Sequence, residues 1–204
     1  MAKRPDKSAK IIAAAFALAE ERGWQDVALA DIASAAKVKL PEFTKLFPAK
    51  SDILAAWSRQ IDAEVIALAE EENLSDENAR DRLFDVLMMR FDCMIDARPA
   101  LKRIAHDLSR DPVALITMVS PALQSLGWML EAAEIDSSGW RGALRVRGLA
   151  VIWARVFSVW LDDGEDQAKT MAELDKRLKQ AEDLLLAVRR FRGGAEKSSG
   201  DAAA

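Results

Sequence analysis

The stretch that decides the fold is residues 11–54, IIAAAFALAEERGWQDVALADIASAAKVKLPEFTKLFPAKSDIL. An apolar run at helical spacing (Ile11, Ile12, Ala15, Phe16, Leu18, Ala19) stops at Gly23-Trp24. A short second run over residues 32–36 follows, then a break at Lys37-Val38-Lys39, a third run over residues 40–47, and Pro48-Ala49-Lys50-Ser51 before a fourth. Apolar residues recurring at three and four positions predict amphipathic helices. Small residues at Ala33, Ala35 and Ala36 let two short helices cross closely, the arrangement a helix-turn-helix needs to present its second helix to a DNA groove.

Outward from that segment the chain reads as helices throughout. Helix one is expected over about 7–22, ending at Gly23, a left-handed cap position. Helix two is expected over 29–36. Helix three is expected over 41–47, with Pro41 in the first turn, where a backbone donor is unpaired anyway. Ala28 stands where a helix cap wants Ser or Thr, so side-chain capping is lost there. Ser51-Asp52 opens helix four, running to about residue 72. Ser75-Asp76-Glu77 opens helix five, stopped by Arg98-Pro99. Helix six follows over 99–109. Asp111-Pro112 opens helix seven, which Pro121 kinks or splits. Helix eight is expected from Ser137-Ser138 to about 161. The acidic turn Asp162-Asp163-Gly164 separates it from helix nine, over about 166–191. Residues 193–204 are small and polar and predict a disordered tail.

Composition agrees with an all-α chain. Half of the 204 residues are hydrophobic, Pro and Gly number six and nine, and Tyr is absent. The single cysteine, Cys93, excludes an intramolecular disulfide and fits a reducing cytoplasm. The polar N-terminus has no apolar signal core. No apolar run approaches the roughly 20 residues of a membrane span. Residues 1–50 hold nine Lys/Arg against six Asp/Glu, a net of +3, which leaves −7 on the other 154 residues. A mildly basic head on an acidic body suits a DNA-facing unit joined to one that does not face DNA. The expected division is a DNA-binding unit over 1–50, a helical body over 51–192 and the tail.

The pattern AAAFALAEERGW…LADIASAAKVKLPEFTKLFPAKSDIL resembles the N-terminal domain of the tetracycline-repressor (TetR) family of one-component regulators. That resemblance implies an all-α, TetR-like fold of about nine helices, operator DNA as partner, a homodimer, and a body open to a small-molecule effector. Against the family pattern, Lys37 stands where the turn glycine is usual, Pro41 where Gly is frequent, and Thr44 where Tyr is commonest. Phe43 and Phe47, four apart, are expected to pack inward. The groove-facing residues are then Lys39, Leu40, Glu42, Thr44 and Lys45, with Lys37 and Lys50 as phosphate contacts.

A second resemblance lies in residues 128–178, which look like the C-terminal region of the coenzyme Q biosynthesis accessory proteins. It rests on Asp136-Ser137-Ser138, Trp140, Arg145, Trp160-Leu161-Asp162-Asp163 and Leu174-Asp175-Lys176-Arg177. It implies an alternative function, isoprenoid-lipid binding in support of ubiquinone synthesis without DNA binding. Trp153, Phe157 and Trp160 share one helical stripe, and Met171, Leu174 and Leu178 follow a near-heptad. These six are the expected packing or dimer face. An apolar ligand pocket is expected among Met88, Phe91, Met94, Trp128 and Met129. His106 lacks the partners of a zinc site or a catalytic triad, Cys93 reads as a buried thiol, and the turn at residues 162–166 lacks calcium-ligand spacing. No phosphate-binding Gly loop or paired catalytic carboxylates appear, so neither an enzyme, a metal nor a cofactor is expected.

Overall fold

The computed structural model describes residues 7–72 and 76–201, with side chains described to residue 187. Among the described residues there are nine α-helices and no strand. In chain order they are α1 (Lys7–Arg22), α2 (Leu29–Ala35), α3 (Leu40–Leu46), α4 (Lys50–Glu72), α5 (Ala79–Cys93), α6 (Arg98–Leu108), α7 (Pro112–Ala132), α8 (Gly139–Trp160) and α9 (Ala168–Asp201). A 3-10 turn, Ile95–Ala97, which the sequence pattern does not reveal, joins α5 to α6.

The first helix buries the face its spacing predicts: Ile11, Ile12, Ala15, Phe16, Leu18 and Ala19. Fully burying a side chain of Ile, Leu or Phe size stabilises by about 1.5–3 kcal/mol, so this face alone ties α1 firmly to α2, α4 and α6, the helices it packs against. Helix α4 continues out of the N-terminal unit and lies against α1, α5 and α7. The body closes as α7 packs on α8, α8 on α9, and α9 back on α5.

Several boundaries differ from the sequence reading for local reasons. The α5 cap is Asn78, whose side-chain oxygen accepts from the Arg80 and Asp81 amides at 3.1 and 3.0 Å; Ser75, the expected opener, lies outside the described residues. Helix α7 runs unbroken through Pro121 for 21 residues. The carbonyl that the proline ring deprives of a partner belongs to Thr117, on an exposed turn open to solvent. With Pro121 inside the helix, α7 is long and apolar enough to cross a membrane by length and composition, contrary to the sequence expectation. Its C-terminal half buries Ser125, Leu126, Met129 and Leu130, while Val113 and Ile116 near its start are exposed. The last helix extends to Asp201, through a segment whose composition predicts disorder. Adding residues to an existing helix avoids the nucleation penalty, which lets poor helix formers follow.

Two contacts set the geometry of the α7–α8 corner. The Asp136 carboxylate accepts from the Ser138 amide at 2.9 Å, fixing the turn before α8. A Cβ on Gly142 would stand 2.0 Å from the Ser137 backbone, so only glycine admits this close approach. Within the body core, the Arg90 guanidinium (α5) bonds the Asp62 carboxylate (α4), with both residues about 5% exposed. Ser125 of α7 donates to the same carboxylate at 2.7 Å, and Arg90 reaches Ser58 at 3.2 Å and lies 5.2 Å over the Trp153 ring.

Candidate nucleic-acid interface

The N-terminal unit is built by its turns. At the end of α1 the Gly23 amide donates to the Ala19 carbonyl at 2.9 Å with φ +91°, a left-handed cap. Ala28 precedes α2 with no side-chain cap, as its identity requires, and the Asp31 carboxylate reaches back to accept from the Ala28 amide at 3.0 Å. The turn between α2 and α3 is closed by Lys37 N–H to Ser34 O and Val38 N–H to Ala33 O, both 3.0 Å, and Lys37 holds φ +55°. That conformation explains why glycine suits this position. Helix α3 starts one residue earlier than the pattern suggests, placing Pro41 in its first turn.

Phe43 and Phe47 are buried, 0% and 4% exposed, with ring centroids 6.3 Å apart. This anchors α3 and leaves Lys37, Lys39, Leu40, Pro41, Thr44 and Lys45 exposed. Two of the residues expected to face DNA are engaged within the protein instead. The Lys7 ammonium donates to the Glu42 carboxylate, tying the first residue of α1 to α3. Lys50 turns inward: its ammonium donates to the carbonyls of Trp24 and, at 2.9 Å, of Val27, and stands 4.7 Å over the Trp24 ring. Burial lowers the Lys50 pKa, against the opposing pull of Asp107 and Asp26. Lys50 thus clamps α4 to the loop after α1.

The same loop is held by a residue the sequence reading missed. The Gln25 amide donates to Asp107 of α6 at 3.1 Å, and the Gln25 side chain reaches the Asp107 carbonyl at 3.4 Å. Beside these contacts lies a cavity of about 290 Å³, lined by Trp24, Lys50 and Leu54 on one side and Asp107, Asp111 and Met118 on the other. Eighty-two positions separate Gln25 from Asp107, so no local pattern could have signalled the pair. His106 is exposed, with Nδ1 3.1 Å from Asp107 Oδ1. Cys93 is half-buried, and burial raises its thiol pKa.

In the body, Phe91, Met94 and Met129 belong to the buried core, Met88 packs at its edge, and Trp128 is 51% exposed. None of the five lines the seam cavity or a second, open groove of about 830 Å³ that lies between α5 and α9. Phe91 stacks on Trp153 at 4.7 Å and packs on Trp160 at 5.4 Å. Trp160, Leu174 and Leu178 are at most 4% exposed within one chain, because they join α8 and α9 to that core. They are therefore not a surface offered to a partner. The apolar residues left outside are Trp140, Leu144 and Val151 on α8 and Met171 and Leu184–Leu186 on α9.

Exposed Lys39 at the cap of α3 and Lys45 within it, mounted with α1 and α2 on a helical body, form the arrangement of a helix-turn-helix unit joined to an all-α body. Residues 11–57 match the family described as bacterial regulatory proteins, tetR family. Over most of its length the chain has the fold of solved TetR transcriptional regulators. It superposes on the one from Nitrosomonas europaea with a TM-score of 0.67 at 24% identity, covering 85% of this chain and 96% of that one. A TetR regulator from Rhodococcus sp. RHA1 gives 0.62 at 18% identity, over 85% and 94%. The TetR-family repressor FadR of Thermus thermophilus, in complex with lauroyl-CoA, gives 0.56 at 20% identity, over 88% and 93%. No curated protein matches the sequence.

Proposed function

We propose that this chain is a DNA-binding transcriptional regulator of the TetR type, a cytoplasmic repressor that binds a two-fold operator as a homodimer and answers to an apolar effector. Its DNA-binding unit is residues 1–50, and residues 51–192 carry the effector and dimer functions. The observation that carries this reading is the exposed face of α3 and its cap, with Lys39 at the cap and Thr44 and Lys45 on the helix exposed while Phe43 and Phe47 are buried. In a helix-turn-helix, the second helix reads the major groove from this position.

Mobility shifts of the wild type, Lys39→Ala and Lys45→Ala against the upstream region of its own gene test it. Each lost contact to DNA weakens binding and flattens the salt dependence by about one charge. Equal, weak binding by all three proteins at physiological salt contradicts the proposal. The effector half draws support from the lauroyl-CoA complex of the Thermus relative. An effector of this kind shifts operator affinity by about 1–3 kcal/mol of coupling.

The alternative is a lipid-binding accessory protein without DNA binding. It draws on the resemblance of residues 128–178 and on the exposed Val113 and Ile116 of α7. Organic extraction of the purified protein followed by mass spectrometry separates the two. Tightly held isoprenoid lipid, together with no preferred DNA sequence in a genome-wide selection, decides for the alternative.

A further inference from the structure

We infer that α3 reads its operator chiefly through thymine methyl groups, contacted by Leu40, Pro41 and Thr44. This rests on the DNA-binding reading and names the chemistry by which the same face selects sequence. Leu40, Pro41 and Thr44 are exposed, and Leu40 is 48% so. On a helix, residues three and four apart are surface neighbours, so Thr44 adjoins both of the others and the three form one continuous strip. Lys39 and Lys45 flank it.

Apart from the exposed lysines, the groups that could read base edges by hydrogen bonding are absent or engaged. Residues 37–47, KVKLPEFTKLF, contain no Asn or Gln to pair with adenine and no Arg, so only a lysine could pair with guanine. The Glu42 carboxylate, the natural acceptor for the cytosine amino group, is taken by Lys7. The Thr44 hydroxyl lies 3.4 Å from the Pro41 carbonyl, turned back on its own helix. Beside that hydroxyl, exposed Thr44 carries a branch methyl. What remains is an apolar strip with a cation at either end. In the major groove the one apolar feature of the base edges is the C5 methyl of thymine. Covering Leu40 with that methyl removes both apolar surfaces from water, and the lysines hold the register on phosphates or on a guanine edge.

The test begins with selection of duplexes from a random pool by the full chain. The expected half-site carries thymine at the positions under α3. Each such thymine is then replaced by deoxyuracil, which removes a methyl and nothing else. Every replacement is expected to weaken binding about four-fold, the equivalent of roughly 0.8 kcal/mol for one buried methyl-sized group. Thr44→Ser and Leu40→Ala weaken binding to the thymine duplex, and most of that loss disappears on the uracil duplex, because the partner methyl is already gone. Thermal melting of each variant confirms that it is folded. Uracil and thymine duplexes binding equally well overturns the inference, as does a selected half-site of guanine and cytosine alone. If no sequence is enriched at any salt concentration, the DNA-binding reading itself falls and this inference with it.

Discussion

Lys37 occupies a left-handed backbone conformation that costs a residue with a Cβ about 1–2 kcal/mol. Replacing it by glycine removes that cost, and the extra freedom glycine has in the unfolded chain returns part of it. Lys37→Gly is therefore expected to raise stability by about 0.5–1 kcal/mol, read by thermal or urea unfolding. Because an exposed positive charge is lost beside α3, its affinity for DNA is expected to fall while its melting temperature rises. Lowered stability in the variant would show that Lys37 makes contacts worth more than the backbone strain. Around this turn the sequence was informative where periodicity governs: the four-residue spacing of Phe43 and Phe47 announces their burial. It was silent on Lys50, whose acceptors are the backbone carbonyls of Trp24 and Val27. Carbonyl groups carry no side-chain signature, and their approach depends on how α4 meets a loop more than twenty residues earlier.

At the scale of elements, nearly every helix was legible from apolar spacing, and most errors lie at ends and faces. The aromatic stripe Trp153, Phe157 and Trp160 is real, but spacing cannot tell a stripe that meets its own core from one that meets another copy. The structure turns it toward Phe91 and leaves Trp140, Leu144 and Val151 outside. The start of α5 illustrates a feature the linear pattern hid. Asp85 has its pKa raised to about 6 by burial, then by its hydrogen bond and repulsion with Glu77 and by the charges of Glu72 and Asp81. An acid with a raised folded pKa binds more protons when folded than when unfolded. Its charge therefore destabilises the fold above about pH 6, and the penalty fades as pH falls toward the ordinary carboxylate range. Asp85→Asn should melt higher than the wild type at pH 7–8, with the difference gone near pH 4. A gain that persists at pH 4 would rule out ionisation as its source.

For the molecule as a whole, the exposed apolar faces of α8 and α9 are where the proposed dimer is expected to form. A glutamate at Val151, which is 73% exposed, should yield a folded monomer by light scattering, whereas the same charge at Leu174 should disrupt the chain itself. A Val151→Glu protein that stays dimeric moves the interface elsewhere. The body also depends on one buried ion pair shared by three helices. Arg90→Met alone leaves Asp62 charged, buried and uncompensated, which costs about 3–5 kcal/mol. Adding Asp62→Leu should recover most of that loss, since apolar replacements for a buried pair are often neutral or stabilising. Chemical denaturation of the single and double variants checks both halves.

The placement of the indole rings makes this protein its own optical gauge. Trp160 and Trp24 are sealed from solvent, while Trp140 and Trp128 stand 68% and 51% open to it. A shielded indole emits at shorter wavelength than a hydrated one, so the fluorescence spectrum sums sealed, half-buried (Trp57, Trp153) and open rings. Trp140 lies on the outer face of α8 beside Leu144. Dilution that separates two copies would wet that ring and draw the emission to the red, with the tertiary core undisturbed. The concentration at which the colour shifts would report the dissociation constant of the pair without any label.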